Sequence, residues 1–233
     1  PERAERELRR IDPDGDPAIE QALVALADKG GMPGFALTLG SSLKAPSGDL
    51  YDAALYPLPP WQPEGGFQID RALLFALMRQ ESRFVPAARS ESGARGLMQL
   101  MPETAKSVGA DLSSLGDPTA NLTFGQRYLS TLRRYKEIGD NLVLMLAAYN
   151  AGPGNLQRWR RDMGRQNDPL MFIERLPSQE TRGFVKLVLA NYWIYRLRLG
   201  QTAPSLDAVA AGRWPLYIAQ DAPAIQVAFD AEN

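Results

Sequence analysis

The carboxylic acid best placed to transfer a proton is Glu81, which ends a strongly apolar stretch of the chain. The pattern predicts a helix over residues 70–81, with Glu81 on its last turn. Three large apolar residues share the helical stripe of this glutamate: Leu74, Leu77 and Met78. A carboxyl held out of water by such neighbours has a raised pKa, which suits a general acid. The alternative is a carboxylate that faces solvent or pairs with Arg79 or Arg83.

A second stretch with groups suited to binding, residues 96–102 (GLMQLMP), stands where Pro102 can begin a helix. Gln99 can exchange hydrogen bonds with the hydroxyl or acetamido groups of a sugar. The thioethers of Met98 and Met101 can face the apolar surfaces of the same ring. The alternative for these residues is a hairpin in the core.

A third stretch, residues 147–155 (AAYNAGPGN), brings a phenol and an amide to a glycine-rich turn. Tyr149 and Asn150 stand at the end of a predicted buried helix, where two polar side chains can orient a substrate. The alternative is a helix C-terminus tipped by a tyrosine. Taken together, the three stretches favour a sugar-binding site that contains one acid.

The composition excludes several kinds of catalysis. The 233 residues include no histidine and no cysteine, which excludes Ser-His-Asp and Cys-His nucleophiles, zinc held by His or Cys, and disulfides. Proton transfer must therefore use Asp, Glu, Tyr, Lys or Arg. The 26 Lys and Arg against 27 Asp and Glu leave a net charge of −1, so we expect no nucleic-acid partner. The longest apolar runs fall far short of the ~20 residues of a membrane span, and we expect neither a transmembrane segment nor a metal or other cofactor.

Helices must hold these groups in place. The periodicity predicts six of them after the first third of the chain: residues 70–81, 102–108, 120–138, 140–149, 155–163 and 178–199. Asp140 and Ser178 are predicted N-caps. Between residues 83 and 101 the periodicity is lost and glycines gather, which predicts a small irregular or β-hairpin excursion. No structure is predicted for the tail from Pro215.

A Pro-rich stretch divides the chain. Residues 56–66 (YPLPPWQPEGG) forbid regular helix or central strand, so we place a domain boundary there. Before it, Asp16-Pro17 predicts the start of one helix and Pro33 the start of another. These short helices read either as the end of a helical array or as an arm packed on the main domain.

Four motifs follow one another along the chain: QES at 80–82, GARGLMQLMP at 93–102 with Ser90 before it, AYNAGPG at 148–154, and LPSQETRG at 176–183. In order and spacing they resemble the motifs of the Slt-type soluble lytic transglycosylases, goose-lysozyme-like enzymes that cut bacterial peptidoglycan. Each motif is weak alone, and the four together are very specific. The resemblance implies a mainly α-helical fold, with a lysozyme-like catalytic domain that carries a small β-hairpin element.

The resemblance also implies a division of the chain. Residues 57–233 are expected to form the catalytic domain with a C-terminal tail. Residues 1–56 resemble the end of the helical solenoid that precedes this domain in long family members. The chain begins without an initiator Met or an apolar signal core, so we expect these helices to be a remnant of a longer solenoid or linker.

The resemblance assigns roles residue by residue. Glu81 matches the catalytic acid and base. Five further residues match positions in the cleft: Ser90, Gln99, Met101, Tyr149 and Asn150. Glu180 matches an acid that lines the cleft, and its alternative is a first-turn carboxylate favoured by the helix dipole. Tyr192, on the stripe of Val185 and Val188, is expected to point into the site, with a core tyrosine as an equal alternative.

The implied reaction is non-hydrolytic cleavage of the β-1,4 bond between N-acetylmuramic acid and N-acetylglucosamine. One glutamate serves first as acid and then as base, and the product ends in 1,6-anhydromuramoyl. Peptidoglycan strands are thus the expected partner and the bacterial periplasm the expected location. Two other functions stay open: a lysozyme-type hydrolase, and an inactive peptidoglycan-binding module.

Overall fold

The structure is a computed structural model that describes residues 2–43, 48, 51–164 and 166–221. These residues form α-helices joined by turns and loops, so the mainly α-helical fold predicted from the sequence is confirmed. The chain divides into two compact units. The first runs to Trp61 and includes Arg83–Val85, and the second comprises Gln62–Ser82 and continues from Pro86. No helix within the described ranges combines the length and hydropathy needed to cross a bilayer.

The described residues of the first unit form four helices: α1 (Glu2–Leu8), α2 (Pro17–Lys29), α3 (Pro33–Ser42) and α4 (Asp52–Leu55). Its small core joins the end of α2 to α3 and consists of Ala27, Met32, Phe35 and Ala36. The Asp16 carboxylate accepts a hydrogen bond from the Ala18 N–H at 2.8 Å, as expected of an N-cap. Both helices that the sequence predicted here therefore begin at the expected prolines.

The second unit contains eight α-helices among its described residues. In chain order they are α5 (Arg71–Glu81), α6 (Pro102–Ser107), α7 (Pro118–Arg133), α8 (Leu142–Ala151), α9 (Pro153–Met163), α10 (Pro169–Arg175), α11 (Gln179–Arg198) and α12 (Pro204–Ala210). A 3-10 helix, Leu112–Gly116, precedes α7.

All six helices predicted from the periodicity are present in this unit, and their ends lie within two residues of the prediction except for the end of α7. Helix α7 ends at Arg133 and not near residue 138, because the following residues form turns that close on Gly139 at a φ of +53°. The N-cap of α8 is Asn141, whose side chain accepts from the Leu144 N–H, and the prediction of Asp140 was wrong by one residue. The predicted Ser178 cap of α11 is confirmed by its bond from the Thr181 N–H.

Three buried helices position the site. Every residue of α5 from Ala72 to Met78 is buried, so this helix lies inside the unit. Helices α5 and α8 both pack on α11. The C-terminal ends of α5 and α8 meet the N-terminal end of α11, where residues of all three helices line one groove.

The loop before α6 is held by an asparagine. Two isolated antiparallel bridges pair Arg95 with Arg89 and with Leu100, in place of continuous strands. The buried Asn121 side chain on α7 accepts from the Met98 N–H at 2.7 Å and donates to the carbonyls of Arg95 in the loop and Leu115 in the 3-10 helix. Gly96 lies against this amide at a φ of +78°, and a Cβ there would meet Asn121 Nδ2 at 2.1 Å. Only glycine therefore fits this position.

The segment 215–221 forms a clasp across the opposite end of the three helices. Its backbone pairs with residues beside the start of α8: the Leu142 N–H donates to the Pro215 carbonyl and the Tyr217 N–H to the Asp140 carbonyl. The Asp70 carboxylate, at the start of α5, accepts from the N–H groups of Gln220 and Asp221. The sequence predicted no structure for this tail, because its order comes from distant partners. Residues 222–233 lie outside the described residues.

A buried ion pair lies beneath this C-terminal clasp. Arg196 of α11 is 1% exposed and pairs with Asp70, 3% exposed, at 2.9 Å. The guanidinium also donates to the Tyr192 hydroxyl, the Gln201 amide oxygen and the Ile218 carbonyl. A buried ion pair adds little to stability unless its remaining hydrogen-bonding groups also have partners, as they do here. Removing one member of such a pair is strongly destabilising, because the other charge stays buried without a partner.

Replacing Arg196 with methionine should therefore destabilise the protein strongly. The Asp70 carboxylate would stay buried without its cation, and the expected loss is about 3–5 kcal/mol in the free energy of unfolding. Urea denaturation measures this. The control is Lys186→Met, which breaks an ion pair with Glu174 whose side chains are 50% and 59% exposed; its expected loss is below about 1 kcal/mol. Equal, small losses in both variants would contradict the role given to the buried pair.

Candidate active site

A groove of about 490 Å³ lies where α5, α8 and α11 meet. Its lining combines polar and apolar side chains from the three helix ends: Gln80, Glu81, Asn150, Gln179, Glu180, Gly183, Phe184 and Leu187. We call it the Glu81 groove. It brings together three of the residues that the sequence singled out, Glu81, Asn150 and Glu180.

Glu81 is the titratable group that the groove perturbs most. Burial, and to a smaller extent the negative charge of Glu180, raise its pKa from the ordinary 4.5 to about 8. The cause is the helix itself, since residues 72–78 in the turns before Glu81 are buried and leave its carboxyl little water. The raised pKa predicted from the apolar stripe is confirmed. At neutral pH most of this carboxyl carries its proton, as a general acid requires.

Asn150 links the ends of α8 and α11. Its Nδ2 donates to Glu180 Oε1 at 3.3 Å, and its Oδ1 accepts from the Thr181 hydroxyl at 2.6 Å. The amide is thereby fixed in orientation, with the NH₂ group turned towards the carboxylate. Glu180 itself is exposed in the first turn of α11, so its side chain keeps acceptor capacity for a ligand in the groove.

Tyr149 is buried beside the groove. Its hydroxyl donates to the Met98 carbonyl at 2.7 Å, which ties α8 to the loop before α6. Burial raises the pKa of this phenol well above 10, and the nearby charge of Glu81 adds to the effect. Its ring is parallel to that of Phe184, with centroids 6.3 Å apart. Because the hydroxyl donates its proton to the Met98 carbonyl, the phenolic oxygen can take part in a further hydrogen bond only as acceptor. An acceptor of this kind suits a protonated carboxyl, which can donate.

Besides the buried Tyr149, three further residues predicted for the cleft do not line the Glu81 groove. Ser90 is exposed and closes a turn by accepting from the Ala94 N–H at 2.9 Å. Gln99, at a φ of +44°, donates its amide protons to the Ala88 and Gly96 carbonyls, which leaves its oxygen for a ligand. Met101 is 42% exposed at the start of α6, where its thioether is open to contact.

Two other expectations need correction. Met98 is fully buried and cannot face a sugar ring; its side chain packs against Gly125 of α7. Tyr192 is a core residue, which was the alternative for it, and does not line the groove. Its side chain is buried, and its hydroxyl accepts a hydrogen bond from the buried Arg196. On one helix it stands 12 residues beyond Glu180, which is about 18 Å along the axis. Trp159 is a core residue, while Trp193 is only partly buried and donates to the Ser205 hydroxyl.

Sequence reasoning missed several residues of the site. Phe184 and Leu187 stand four and seven positions after Glu180 on α11, so helical spacing alone could have placed all three on one face. Gln80, Gln179 and Thr181 flank residues already singled out. Asn121, which holds the loop, gave no signal beyond a polar residue on a buried helical face. Within the described ranges, no three acidic side chains come close enough to bind a metal ion.

Known proteins share this arrangement of helices and motifs. Residues 61–172 match the family described as Transglycosylase SLT domain. The soluble lytic murein transglycosylase of Escherichia coli (strain K12) is 37% identical over 156 residues, which cover 64% of this chain and 24% of that protein. The chain thus spans about a quarter of the length of this relative.

Solved structures give the same result for the fold. The crystal structure of the 70 kDa soluble lytic transglycosylase from Escherichia coli superposes with a TM-score of 0.67 and 30% identity, and covers 79% of this chain and 31% of that one. An inactive mutant of the lytic transglycosylase Slt from Pseudomonas aeruginosa gives 0.63 and 31%, over 85% of this chain and 32% of that one. The lysozyme-like fold expected of the catalytic part is confirmed by this likeness. As the motifs predict, residues 61–172 match the transglycosylase SLT domain, and the proteins that the chain resembles include soluble lytic murein transglycosylases.

Proposed function

We propose that this protein is a peptidoglycan lytic transglycosylase. It cleaves the β-1,4 bond between N-acetylmuramic acid and N-acetylglucosamine without water, and leaves a 1,6-anhydromuramoyl end. The observation that carries the proposal is the position of Glu81: a carboxyl with a pKa of about 8, in a groove at the junction of three buried helices. The names of relatives from Escherichia coli and Salmonella typhimurium, both soluble lytic murein transglycosylases, support the same substrate.

In the first step Glu81 gives its proton to the glycosidic oxygen, and the bond from that oxygen to C1 of the muramoyl sugar breaks. The sugar's own N-acetyl group assists at C1 as positive charge develops there. Glu81, now a carboxylate, takes the proton of the O6 hydroxyl, and O6 closes on C1. An intramolecular hydroxyl replaces water, with the advantage in effective concentration of a reactant that is already held in place.

The neighbours of Glu81 support this use of one acid. The charge of Glu180 raises the pKa of Glu81 and so keeps the acid protonated before the reaction. Asn150, fixed by Thr181, is placed to orient a polar group of the substrate. Tyr149 is buried close enough to Glu81 for the charge of this glutamate to add to the effect of burial on the pKa of the phenol. We propose that Ser90, Gln99 and Met101 contact parts of the glycan beyond the Glu81 groove, and that Tyr192 has a structural role.

The proposal extends to the organisation of the chain. Residues 57–233 are the catalytic domain, and residues 1–56 form a separate helical segment. The division of the compact units at Trp61, and the start of the family match at residue 61, support this boundary. A peptidoglycan substrate places the protein in the bacterial periplasm.

A lysozyme-type hydrolase is the competing function, favoured by the second carboxylate of the groove, Glu180. Mass spectrometry of muropeptides released from purified cell wall in ¹⁸O-labelled water separates the two. We expect products lighter than the hydrolytic ones by one water and free of label. Reducing ends that carry the label as the main product would show a hydrolase. The control is Glu81→Gln, which keeps the shape of the side chain and should reduce release by on the order of 100-fold or more.

The pH profile should report the coupling between the two glutamates. Because protonated Glu81 starts the reaction, kcat/KM should fall as the pH rises through about 8. Glu180→Gln removes the negative charge that helps raise the pKa of Glu81, so this limb should move to lower pH. Glu174→Gln, an exposed carboxylate of α10 outside the groove, is the matched control and should leave the limb unchanged. An unchanged alkaline limb of the pH profile in Glu180→Gln would contradict the coupling between the two glutamates.

A further inference from the structure

Thr181, the third residue of α11, holds a residue of the Glu81 groove without lining the groove itself. Its side chain is 1% exposed. Its hydroxyl donates to Asn150 Oδ1 at 2.6 Å, across 31 positions of the chain. A ligand in the groove therefore meets the Asn150 amide and not the Thr181 hydroxyl that holds it.

The direction of this hydroxyl differs from that of threonines in other helices. Thr38, Thr123 and Thr131 each donate to the carbonyl four positions earlier in their own helix. Thr181 stands so early in α11 that the residue four positions before it, Pro177, precedes the helix. Because its own helix offers no carbonyl at that place, the hydroxyl is available for a bond to another helix.

The bond from Thr181 decides which end of the Asn150 amide faces the groove. The side chain can turn by 180° about its last carbon–carbon bond, which exchanges an acceptor oxygen for a donor nitrogen. On the other side, the Asn150 amide nitrogen donates to Glu180 Oε1, but this bond is exposed and measures 3.3 Å, at the long end of the hydrogen-bond range. The shorter bond from Thr181 therefore contributes more to holding the amide in one orientation.

We infer that Thr181 is a positioning residue, which turns Asn150 so that its N–H donors face the Glu81 groove. Among the described residues Asn150 Nδ2 has one hydrogen-bond partner, Glu180, so its second N–H is left for an acceptor oxygen of the glycan. This inference rests on the proposed function, since it takes a glycan to be the ligand. A sugar in the groove then meets a donor at Asn150 and an acceptor at Glu180, and the pair fixes its orientation beside Glu81.

A double-mutant cycle on the rate of cleavage tests whether Thr181 acts through Asn150. Thr181→Val replaces the hydroxyl with a methyl group of similar size, and we expect kcat/KM on soluble peptidoglycan strands to fall about tenfold. Thr181→Ser keeps the hydroxyl and should retain most of the activity. In an Asn150→Ala background, Thr181→Val should cause no further loss, because the amide through which it acts is gone.

Thr131→Val is the matched control, because it removes a hydroxyl of α7 that does not line the groove, and it should cleave as the parent does. If the methyl group of Thr181→Val prevents folding, Thr181→Ala removes the same hydroxyl and takes its place. An equal loss from Thr181→Val with and without the Asn150 side chain would overturn the inference, since Thr181 would then act on the structure in general.

NMR relaxation of the ¹⁵N-labelled Asn150 side-chain amide measures the proposed constraint directly. Its resonance is identified by its loss in Asn150→Ala. We expect an ordered amide in the parent and in Thr181→Ser, and larger motion on the picosecond to nanosecond timescale in Thr181→Val. An amide that is equally ordered in Thr181→Val would contradict the role given to the hydroxyl.

Failure of this inference and failure of the proposed function are distinguishable. The order of the amide depends on no reaction, and the cycle needs cleavage of the glycan, whichever product forms. Reducing ends that carry the solvent label would overturn the transglycosylase and leave the effect of Thr181 in place. Anhydromuramoyl products from a protein whose Asn150 amide stays ordered without the Thr181 hydroxyl would overturn the positioning role alone.

Discussion

Helix α5 sets the constraint on which the rest of the structure depends. Seven consecutive buried residues precede a glutamate on its last turn, so the burial that stabilises the helix also removes water from the Glu81 carboxyl. Desolvation of that carboxyl disfavours its charge and raises its pKa to about 8. The same packing therefore produces a stable core helix and an acid that is protonated at neutral pH. Burial in this packing and the charge of Glu180 together account for the raised pKa of Glu81.

The two ends of the cluster formed by α5, α8 and α11 differ in their effect on stability. At one end the buried Arg196 and Asp70 pair satisfies its hydrogen bonds through the C-terminal clasp. At the other end Glu81 lies close to the acidic Glu180. The folded pKa of Glu81 exceeds its ordinary 4.5, so the folded state holds a proton that the unfolded chain releases between about pH 4.5 and 8. Glu81 therefore destabilises the fold increasingly as the pH rises through this window, a cost typical of an active site.

The sequence predicted the parts of this arrangement that depend on local pattern. The apolar stripe before Glu81, the proline starts of α2 and α3, and the Ser178 cap are all readable within one or two helical turns. The direction of side chains in the loop before α6 could not be predicted in this way. Gly96 and Gln99 adopt positive φ values there, and the loop turns Met98 into the core. The sequence also did not predict the position of Tyr192. The stripe on a 20-residue helix shows which face a residue lies on, but not how far along the helix it lies from the site.

Long-range partners explain the remaining failures. The clasp at residues 215–221 owes its order to Asp70, Asp140 and Leu142, more than 70 residues away in sequence, and nothing in its own composition indicates them. The helices α10 and α12, of seven residues each, were not predicted either. A cavity of about 1080 Å³ along α9, lined by residues from five separate stretches of the chain, could not be predicted from the sequence either.

The central claim is that burial at the end of α5 makes Glu81 a protonated acid at neutral pH. NMR titration of the ¹³C-labelled glutamate carboxyls measures its pKa in the folded protein, and Glu81→Gln identifies the resonance by its loss. A midpoint near pH 8 is the predicted result. A midpoint near the ordinary 4.5 would contradict the account, because Glu81 would then be a charged carboxylate at neutral pH and no donor for the glycosidic oxygen.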